Sequence, residues 1–587
     1  MYIYHPWFSR LISITEHMPK KPSNLIYGLE DKPPLLITII LGFQHSCLFF
    51  VLMTLPIIII RKLGNSITPE EAQSYLSMTM IAGGITVVLQ SIRRFGLGSG
   101  YFCPALCGPA YMDATLTAAA VGGLPLVFGM TLLSGAIESL FSKVMNKLRF
   151  LFPTEVTGLI VSMVGLSLLP VSLAYFFGHQ QQAAGSYAFI SVGFITLAVM
   201  VGLNVWSKGN MKLFCTLIGV IVGYVASILT GIIPPDDLHR VAAARFIHFP
   251  VISHIRWSFD FTMIVPFVIA SICSTFKTVG DIVTCQKIND SEWKRADMKT
   301  LSSGIFADGL GGVIPGLIGG FGLSTSSSNV GLSMATGATS RVISLAMGGI
   351  LIFMAFFPKL SEVMIIMPAP IMGAALIFAV SFIILAGFQI MISRMMNARR
   401  IFVIGISLTF GLCVYLIPGA YSGVHPWLKP VFSSALSVTT IMALVLNMIF
   451  RIGVAAKVKL ELNPAAFSSA DIFDFMERQG GNWAARPDVI RNAAGAMNET
   501  METIISNNLS SSNVVMLVGF DEFNLDVDIS YPGKPIEFPD RKPSRQEMIE
   551  DDDATARLSG YMIRKYVDGL KTEQKGVQTN VKFHFIH

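Results

Sequence analysis

The chain has 587 residues, of which 52% are hydrophobic and only 14% carry a charge, and its mean hydropathy is +0.60. Soluble domains usually carry about a quarter charged residues, so this composition excludes an ordinary soluble protein and indicates one that crosses a membrane many times. The formal net charge of +6 is modest and the basic residues stand in loops, which indicates membrane topology and no nucleic-acid partner.

Apolar runs of spanning length begin after residues 1–34, which are polar and basic and which we expect to form a cytoplasmic N-terminal segment without a secretory signal. The runs form a first repeat at 35–232 and a second at 261–450. The first seven are 35–60, 71–92, 98–121, 124–142, 153–176, 186–207 and 214–232. The second seven are 261–285, 298–320, 324–341, 343–366, 370–392, 401–418 and 432–450. The sequence therefore predicts an α-helical membrane protein with fourteen spans and a transporter domain over 35–457.

The third run of each set is interrupted. One interruption is GLGSGYFCPALCGPAYMDAT at 96–115, and the other is GLSTSSSNVGLSMATGATS at 322–340. Backbone polar groups must find partners inside a bilayer, so such runs of small and polar residues persist only within protein or beside an aqueous cavity. Two broken segments at matching positions of two halves are typical of a transporter site near the bilayer midplane.

Basic residues cluster after the even-numbered runs and are scarce in most of the opposite loops. The clustered residues are Arg93, Arg94, Lys143, Lys147, Arg149, Lys208, Lys212, Lys287, Lys294, Arg295, Arg341, Arg394, Arg399, Arg400, Arg451, Lys457 and Lys459. By the positive-inside rule, both termini are then cytoplasmic. Seven spans in each set give the two halves opposite topology, as an inverted repeat requires.

The composition changes at about residue 458, and no spanning run follows. Helix-like patterns at 485–506 and 553–571 alternate with strand-like patterns at 513–530 and 577–587. This alternation predicts a small cytosolic α/β domain over 458–587, which we interpret as regulatory.

Several ordered motifs resemble those of the nucleobase–ascorbate transporters, the family of the xanthine and uracil permeases. They are YGLEDKPP ending at Pro34, GFQHSCLFF at 42–50, PALCGPAY at 104–111, TVGD at 278–281, FADGL at 306–310, SNVGLSMATG at 328–337 and MPAPIMG at 367–373. The resemblance covers roughly residues 24–455.

The resemblance implies a homodimer whose subunits have a core and a gate domain, with short strands in spans 3 and 10 facing each other. It places the substrate between these strands and the eighth span. The substrate-binding residues it implies are Ala110, Tyr111, Lys277, Asp281, Ser327, Ser328, Asn329 and Gly373. Tyr111 takes the position at which the family stacks an aromatic ring on the planar substrate. The N-terminal amides of both half-helices favour an electron-rich ligand.

Two positions depart from the family pattern. Lys277 stands where the family carries a substrate-binding glutamate, and Ser328 stands where it carries Glu or Gln. A lysine within an apolar helix costs about 2.5–3.5 kcal/mol on insertion scales, so Lys277 needs a partner or an aqueous cavity.

Three interpretations of Lys277 compete. It could pair internally with Asp281, Asp308 or Asp113, it could bind an anionic substrate, or it could exchange a proton during transport. The family's usual proton-carrying acid is absent here. The remaining candidates for proton coupling are His45, Asp308 and Asp281.

The C-terminal region resembles, more faintly, the ATPase fold of histidine kinases. AMNETMETI at 496–504 is similar to the helix that carries the asparagine for nucleotide-bound magnesium, and RLSGYMIRKYVDGL at 557–570 is similar to the later glycine-rich helix start. However, Thr503 replaces that asparagine, Asp-x-Gly-x-Gly is missing, and only Gly560 remains of a glycine pair. These losses argue against catalysis and nucleotide binding.

The sequence thus predicts a secondary transporter of the cell membrane that moves a nucleobase or purine-like anion of the xanthine, urate and uracil class. The resemblance implies proton symport and an elevator-type motion. Alternatives are a carrier of other small anions, similar to the sulfate permeases, and a membrane sensor that signals through the C-terminal domain. We expect no enzymatic activity and no cofactor. We also expect no bound metal, because the cysteines lack metal-ligand spacing.

Overall fold

The computed structural model describes most of the chain, in two compact units. The described residues are 20–23, 25–93, 96–148, 153–178, 187–207, 211, 214–252, 254–291, 293, 296–392, 396–417, 419–425, 428–450, 456–483, 485–510, 512–520, 524–539, 541–543 and 554–586. Most of the predicted N-terminal segment lies outside them. So do eight of the basic residues used for orientation, namely Arg94, Arg149, Lys208, Lys212, Lys294, Arg295, Arg394 and Arg451.

Helices dominate the part of the chain that precedes residue 451. They are α1 (Leu35–Leu52), α2 (Thr54–Leu63), α3 (Pro69–Ser91), α4 (Met112–Leu148), α5 (Thr154–Phe176), α6 (Tyr187–Trp206), α7 (Cys215–Leu229), α8 (Pro235–Ala243), α9 (Phe261–Asn289), α10 (Met298–Ile318), α11 (Ser327–Thr336), α12 (Val342–Met354), α13 (Pro358–Ile365), α14 (Ala369–Met391), α15 (Ala398–Leu416), α16 (Lys429–Phe432) and α17 (Ala435–Phe450). Two short strands interrupt them, β1 (Ala105–Cys107) and β2 (Leu323–Thr325).

Within the described residues, nine helical stretches are long and apolar enough to cross a membrane, and α12 with α13 forms a tenth that bends by 84°. The helices α7 and α17 are apolar but shorter. Fourteen segments are reached only when α4 is divided at Gly123, whose positive φ of 64° interrupts the helix ahead of Pro125, and when α11 is included. The expected helical membrane fold is confirmed, and the interrupted runs differ from ordinary spans as predicted.

The two interrupted segments pair with each other. Strand β1 runs antiparallel to β2, with Ala105 opposite Thr325 and Cys107 opposite Leu323. Each strand leads into a helix: a 3₁₀ turn at Pro109–Tyr111 starts α4, and Ser326 caps α11 by accepting a hydrogen bond from the Asn329 amide at 3.3 Å. The short ladder satisfies backbone groups that would otherwise be unpaired in the bilayer.

Small residues allow the surrounding helices to approach closely. A Cβ atom on Gly135 of α4 would lie 2.4 Å from the Val313 nitrogen of α10, and one on Gly158 of α5 would lie 2.6 Å from the Met391 nitrogen of α14. Van der Waals packing between backbones stabilises helix pairs in lipid, where the hydrophobic effect is absent.

The second unit is an α/β fold that contains a five-stranded antiparallel sheet in the order β3-β4-β5-β7-β6. Its strands are β3 (Ala456–Leu462), β4 (Val514–Phe520), β5 (Asn524–Pro532), β6 (Gly569–Lys575) and β7 (Gln578–Ile586), and its helices are α18 (Ser469–Trp483), α19 (Pro487–Ser506) and α20 (Ala554–Tyr566). One sheet face packs on these helices around its own hydrophobic core.

Three details of this unit differ from the sequence prediction. The expected strand at 513–530 is instead two antiparallel strands, with even-numbered residues buried in β4 and odd-numbered residues buried in β5. The expected helix at 553–571 ends at Tyr566, where β6 follows. Finally, α18 and β3 were not predicted.

Candidate functional site

Thr325, the last residue of β2, is the centre of the polar network in the membrane region. Its backbone amide donates to Asp308 Oδ1 of α10 at 2.9 Å, and its hydroxyl donates to Asp281 Oδ2 of α9 at 2.9 Å. The Thr325 and Thr278 hydroxyl oxygens are also 2.9 Å apart. The end of the strand thus fixes two acidic side chains from two different helices.

Lys277 is only 3% exposed and has two partners in this network. Its ammonium group donates to the carbonyl oxygen of Thr325, and it lies 3.7 Å from Asp281 Oδ2, one helical turn away. Asp281 also accepts from the Ser327 hydroxyl at 2.5 Å. This geometry matches the internal pairing considered for Lys277, with Asp281 as the partner and not Asp113 or Asp308.

Asp308, 1% exposed, is held by three donors. In addition to the Thr325 amide, its Oδ2 accepts from Ser274 at 2.9 Å and from Thr278 at 2.6 Å. The hydroxyl groups come from adjacent turns of α9, so this helix orients the carboxylate of α10. Such donors favour the ionised form of a carboxyl group.

Glu138 of α4 was not identified from the sequence, yet it lies at this network and is 1% exposed. It accepts from the Tyr111 hydroxyl at 2.8 Å and from the Thr275 hydroxyl at 3.1 Å. Glu138 also lies near Asp308, because the residues next to them are in contact: a Cβ atom on Gly309 would lie 2.6 Å from the Ser139 nitrogen. The only sequence signal was a single acid in an apolar run, which is costly in lipid without a partner.

His45 of α1 contacts the start of α11 in the tenth segment. Its Nδ1 is 2.9 Å from Asn329 Oδ1, and its ring meets the Phe102 ring edge-on, with centroids 4.6 Å apart. Among the described residues, His45 Nε2, Asn329 Nδ2, Gln44 Oε1 and Ser324 Oγ are buried without a hydrogen-bond partner. Buried polar atoms are normally paired, so these four atoms are candidates for binding a polar ligand or water.

The first turns of α11 border an open space. Ser327 and Ser328 are partly exposed, and a Cβ atom on Gly331 would meet no atom within 4 Å. By contrast, Gly373 packs against α5, since a Cβ atom there would lie 2.3 Å from the Phe176 nitrogen.

The predicted residues of the third segment lie in closed surroundings. Tyr111 is fully buried beside Gly108, and its hydroxyl binds Glu138. Ala110 lines a separate cavity of about 230 Å³ together with Asp113, whose Oδ2 accepts from the Ser434 hydroxyl at 2.8 Å. The structure therefore brings Lys277, Asp281, Ser327 and Asp308 together, with Asn329 and His45 as an adjacent pair. The substrate-binding and proton-coupling roles of these six residues stay predictions, as do the roles assigned to Tyr111, Ala110, Ser328 and Gly373.

No group of three possible metal-binding side chains occurs in the part of the chain that the structure describes. The site instead combines a short strand pair, a helix N-terminus with hydroxyl groups, and a buried set of ionisable side chains. This combination defines a membrane transport protein with a buried polar network where two broken segments pair.

Comparison with known proteins identifies the class. The family model described as Permease family (Xan_ur_permease) matches residues 36–420, and the chain therefore belongs to the xanthine/uracil permease family. It is a permease and not an enzyme. Residues from 421 onward, which include the whole five-stranded sheet, lie outside the match.

Curated relatives agree with this assignment. The chain is 28% identical over 431 residues to a putative purine permease of Clostridium perfringens. The aligned residues cover 73% of this chain and 93% of the relative. It is 26% identical over 444 residues to the xanthine permease XanP of Escherichia coli, with coverages of 73% and 95%. The nucleobase transporter PlUacP of Paenibacillus larvae is 26% identical over 428 residues, with coverages of 70% and 94%.

Two solved structures are also similar to the chain. One is the transmembrane domain of the cyanobacterial bicarbonate transporter BicA, with 13% identity, a TM-score of 0.39, and coverages of 68% of this chain and 97% of that chain. The other is the murine anion transporter Slc26a9 in its inward-facing state, with 12% identity, a TM-score of 0.45, and coverages of 74% and 71%.

Proposed function

We propose that this permease carries a nucleobase or purine-like anion of the xanthine, urate and uracil class across the cell membrane. The observation that supports it most is the buried polar network at the paired strands, in a chain whose relatives are named purine, xanthine and nucleobase transporters. A flat heterocycle presents several donors and acceptors at its edge, and the site offers both kinds of group.

The start of α11 is the proposed binding surface. Its first turn has backbone amides without intrahelical partners, of which Asn329 N is capped by Ser326, and it carries the hydroxyl groups of Ser327 and Ser328. The open space beside Gly331 leaves room for a planar ligand against the helix. The positive end of the helix favours an electron-rich or anionic ring.

We further propose proton symport with an elevator-type motion, in a homodimer whose termini are both cytoplasmic. The buried acid Asp308 supports proton coupling, since acids inside membrane helices commonly line proton pathways, and His45 and Asp281 stay predicted candidates. The C-terminal unit has a separate core and is proposed to be regulatory.

Uptake of radiolabelled xanthine, urate and uracil tests the proposal, in a host strain that lacks its own nucleobase permeases. We expect accumulation of at least one of them above the level of the empty host. If none is taken up while the protein is present in the membrane, the proposal is wrong.

Transport of another small anion is the second candidate, and the buried ammonium of Lys277 favours it. Its pairing with Asp281 at 3.7 Å already offsets that charge, which makes Lys277 a weaker anion receptor. Competition distinguishes the two candidates. Excess sulfate, bicarbonate or a dicarboxylate should not displace bound xanthine from a nucleobase carrier, whereas an anion carrier should bind these ions and ignore xanthine.

A further inference from the structure

Glu138 lies outside the two interrupted segments, on the fourth predicted span. It is nevertheless in direct contact with the site, through Tyr111 from the third segment and Thr275 from α9. We propose that Glu138 and Asp308 share one exchangeable proton and form the proton-coupling pair of this carrier. The proposal rests on the proposed function and assigns its coupling residues.

The balance of charge is the first argument. Lys277, Asp281, Asp308 and Glu138 are each at most 4% exposed, so one ammonium group stands among three carboxyl groups. The ammonium group offsets Asp281, which lies 3.7 Å away. Among the described residues, neither Asp308 nor Glu138 has a salt bridge to a cation, and two adjacent carboxylates cannot both remain ionised cheaply in a site of low dielectric constant.

The hydrogen bonds indicate how a proton is shared. Asp308 receives three donors, from Ser274, Thr278 and the Thr325 amide, which is the environment of a carboxylate. Glu138 receives two hydroxyl donors, and one of them, Thr275, is the neighbour of Ser274, so adjacent residues of α9 hold the two carboxyl groups. Two carboxyl groups can hydrogen-bond to each other only when one of them carries a proton, because an ionised carboxyl group only accepts.

Within the described residues, the ionisable groups near the pair already have partners. They are the Tyr111 hydroxyl, the Cys103 and Cys273 thiols, the Lys277 ammonium group and the Asp281 carboxyl group that pairs with it. The Tyr111 hydroxyl donates a hydrogen bond to Glu138, and Cys273 Sγ lies 3.2 Å from the Thr440 hydroxyl oxygen. The exchangeable proton therefore belongs to the carboxyl pair.

The pair also connects the proton to the substrate site. Thr325 joins Asp308 to β2 through its amide and joins Asp281 to β2 through its hydroxyl. A ligand that hydrogen-bonds to Ser327 or to the amides of α11 therefore affects β2, the strand that also positions Asp308. One proton enters from water with the substrate and returns to water when the substrate leaves, so the charge of the pair is restored in each cycle.

Reconstitution into liposomes tests the proposal with Glu138→Gln, which keeps the shape and hydrogen-bonding capacity but cannot ionise. With one coupled proton, an inward gradient of one pH unit should raise xanthine accumulation by wild-type protein about tenfold. We expect this gain to fall to about onefold in Glu138→Gln. Counterflow of xanthine at equal pH should continue. Glu155→Gln, which changes a buried acid at the start of α5, should keep the tenfold gain.

Infrared difference spectroscopy provides a readout that needs no substrate. In a pH titration, the difference spectrum of wild-type protein should contain the C=O band of a protonated carboxylic acid. This band should be missing from the spectrum of Glu138→Gln and present in that of Glu155→Gln. A full pH-driven gain in Glu138→Gln, or an unchanged carboxylic acid band, would overturn the inference. If wild-type protein moves no nucleobase, the proposed function fails, and the band alone decides whether the pair holds a proton.

Discussion

The third and tenth segments have the same plan, a three-residue strand followed by a helix start, but they use it differently. After β1, Pro109 occupies the first turn and contributes no amide, and Tyr111 fills the space beside Gly108. After β2, a serine caps the helix and the next turns border an open space. The comparison teaches that, of these two segments, only the tenth has a helix N-terminus beside open space, whereas Tyr111 fills the corresponding space in the third.

Of the substitutions considered, loss of one member of the Lys277–Asp281 pair at the tenth segment should lower the stability most. In Lys277→Met the Asp281 carboxylate is left buried with only hydroxyl donors, so we expect a loss of about 3–5 kcal/mol in stability. The double variant Lys277→Met/Asp281→Asn should recover much of this loss. Thermal unfolding in detergent measures both, and a double variant as unstable as the single one would argue against the pair.

Lys277→Glu tests whether the lysine also contacts the substrate. If it does, preference should move from anionic towards neutral nucleobases, as measured by competition against labelled xanthine. Collapse of the protein without a change in selectivity would favour a purely internal pair.

Methyl groups added to the two segments should have opposite effects. In Gly108→Ala the new Cβ lies 2.8 Å from Tyr111 Cδ2, so the ring must move away from Glu138. We expect a loss of about 1–3 kcal/mol in stability. Gly331→Ala meets no atom and replaces a helical glycine, so a gain of about 0.5–1 kcal/mol is expected. Equal effects on stability would contradict the asymmetry.

The serine cap of α11 should matter less. Ser326→Ala removes the side-chain acceptor for the Asn329 amide, which costs about 1 kcal/mol at a typical helix start. Ser326→Thr keeps the hydroxyl acceptor without adding a charge and should retain most of the stability in the same unfolding measurement. An alanine variant as stable as the wild type would show that the cap is not formed.

Composition and motif spacing were sufficient to predict the helical membrane fold, because apolar run length and broken polar stretches reflect the bilayer directly. Asp281 and Ser327 were placed at one site, and Asp308 among the coupling candidates, through the resemblance of their motifs to the family. Glu138 could not be placed in this way, since its partners lie 27 or more residues away in sequence and only the packing of α4 against α9 and α10 brings them together. Tyr111 shows the converse limit, because a motif position does not reveal which way a ring points.

Labelling of a single cysteine tests most directly whether the substrate binds at the start of α11. Ser328→Cys and Met334→Cys are compared in a background without the native cysteines, of which six are buried and Cys413 is partly exposed. Residue 334 lies on the same helix and is 56% exposed. Saturating nucleobase should slow maleimide labelling at position 328 and leave labelling at 334 unchanged. The account would be contradicted if the variant protein still transports a nucleobase but no tested nucleobase slows labelling at position 328.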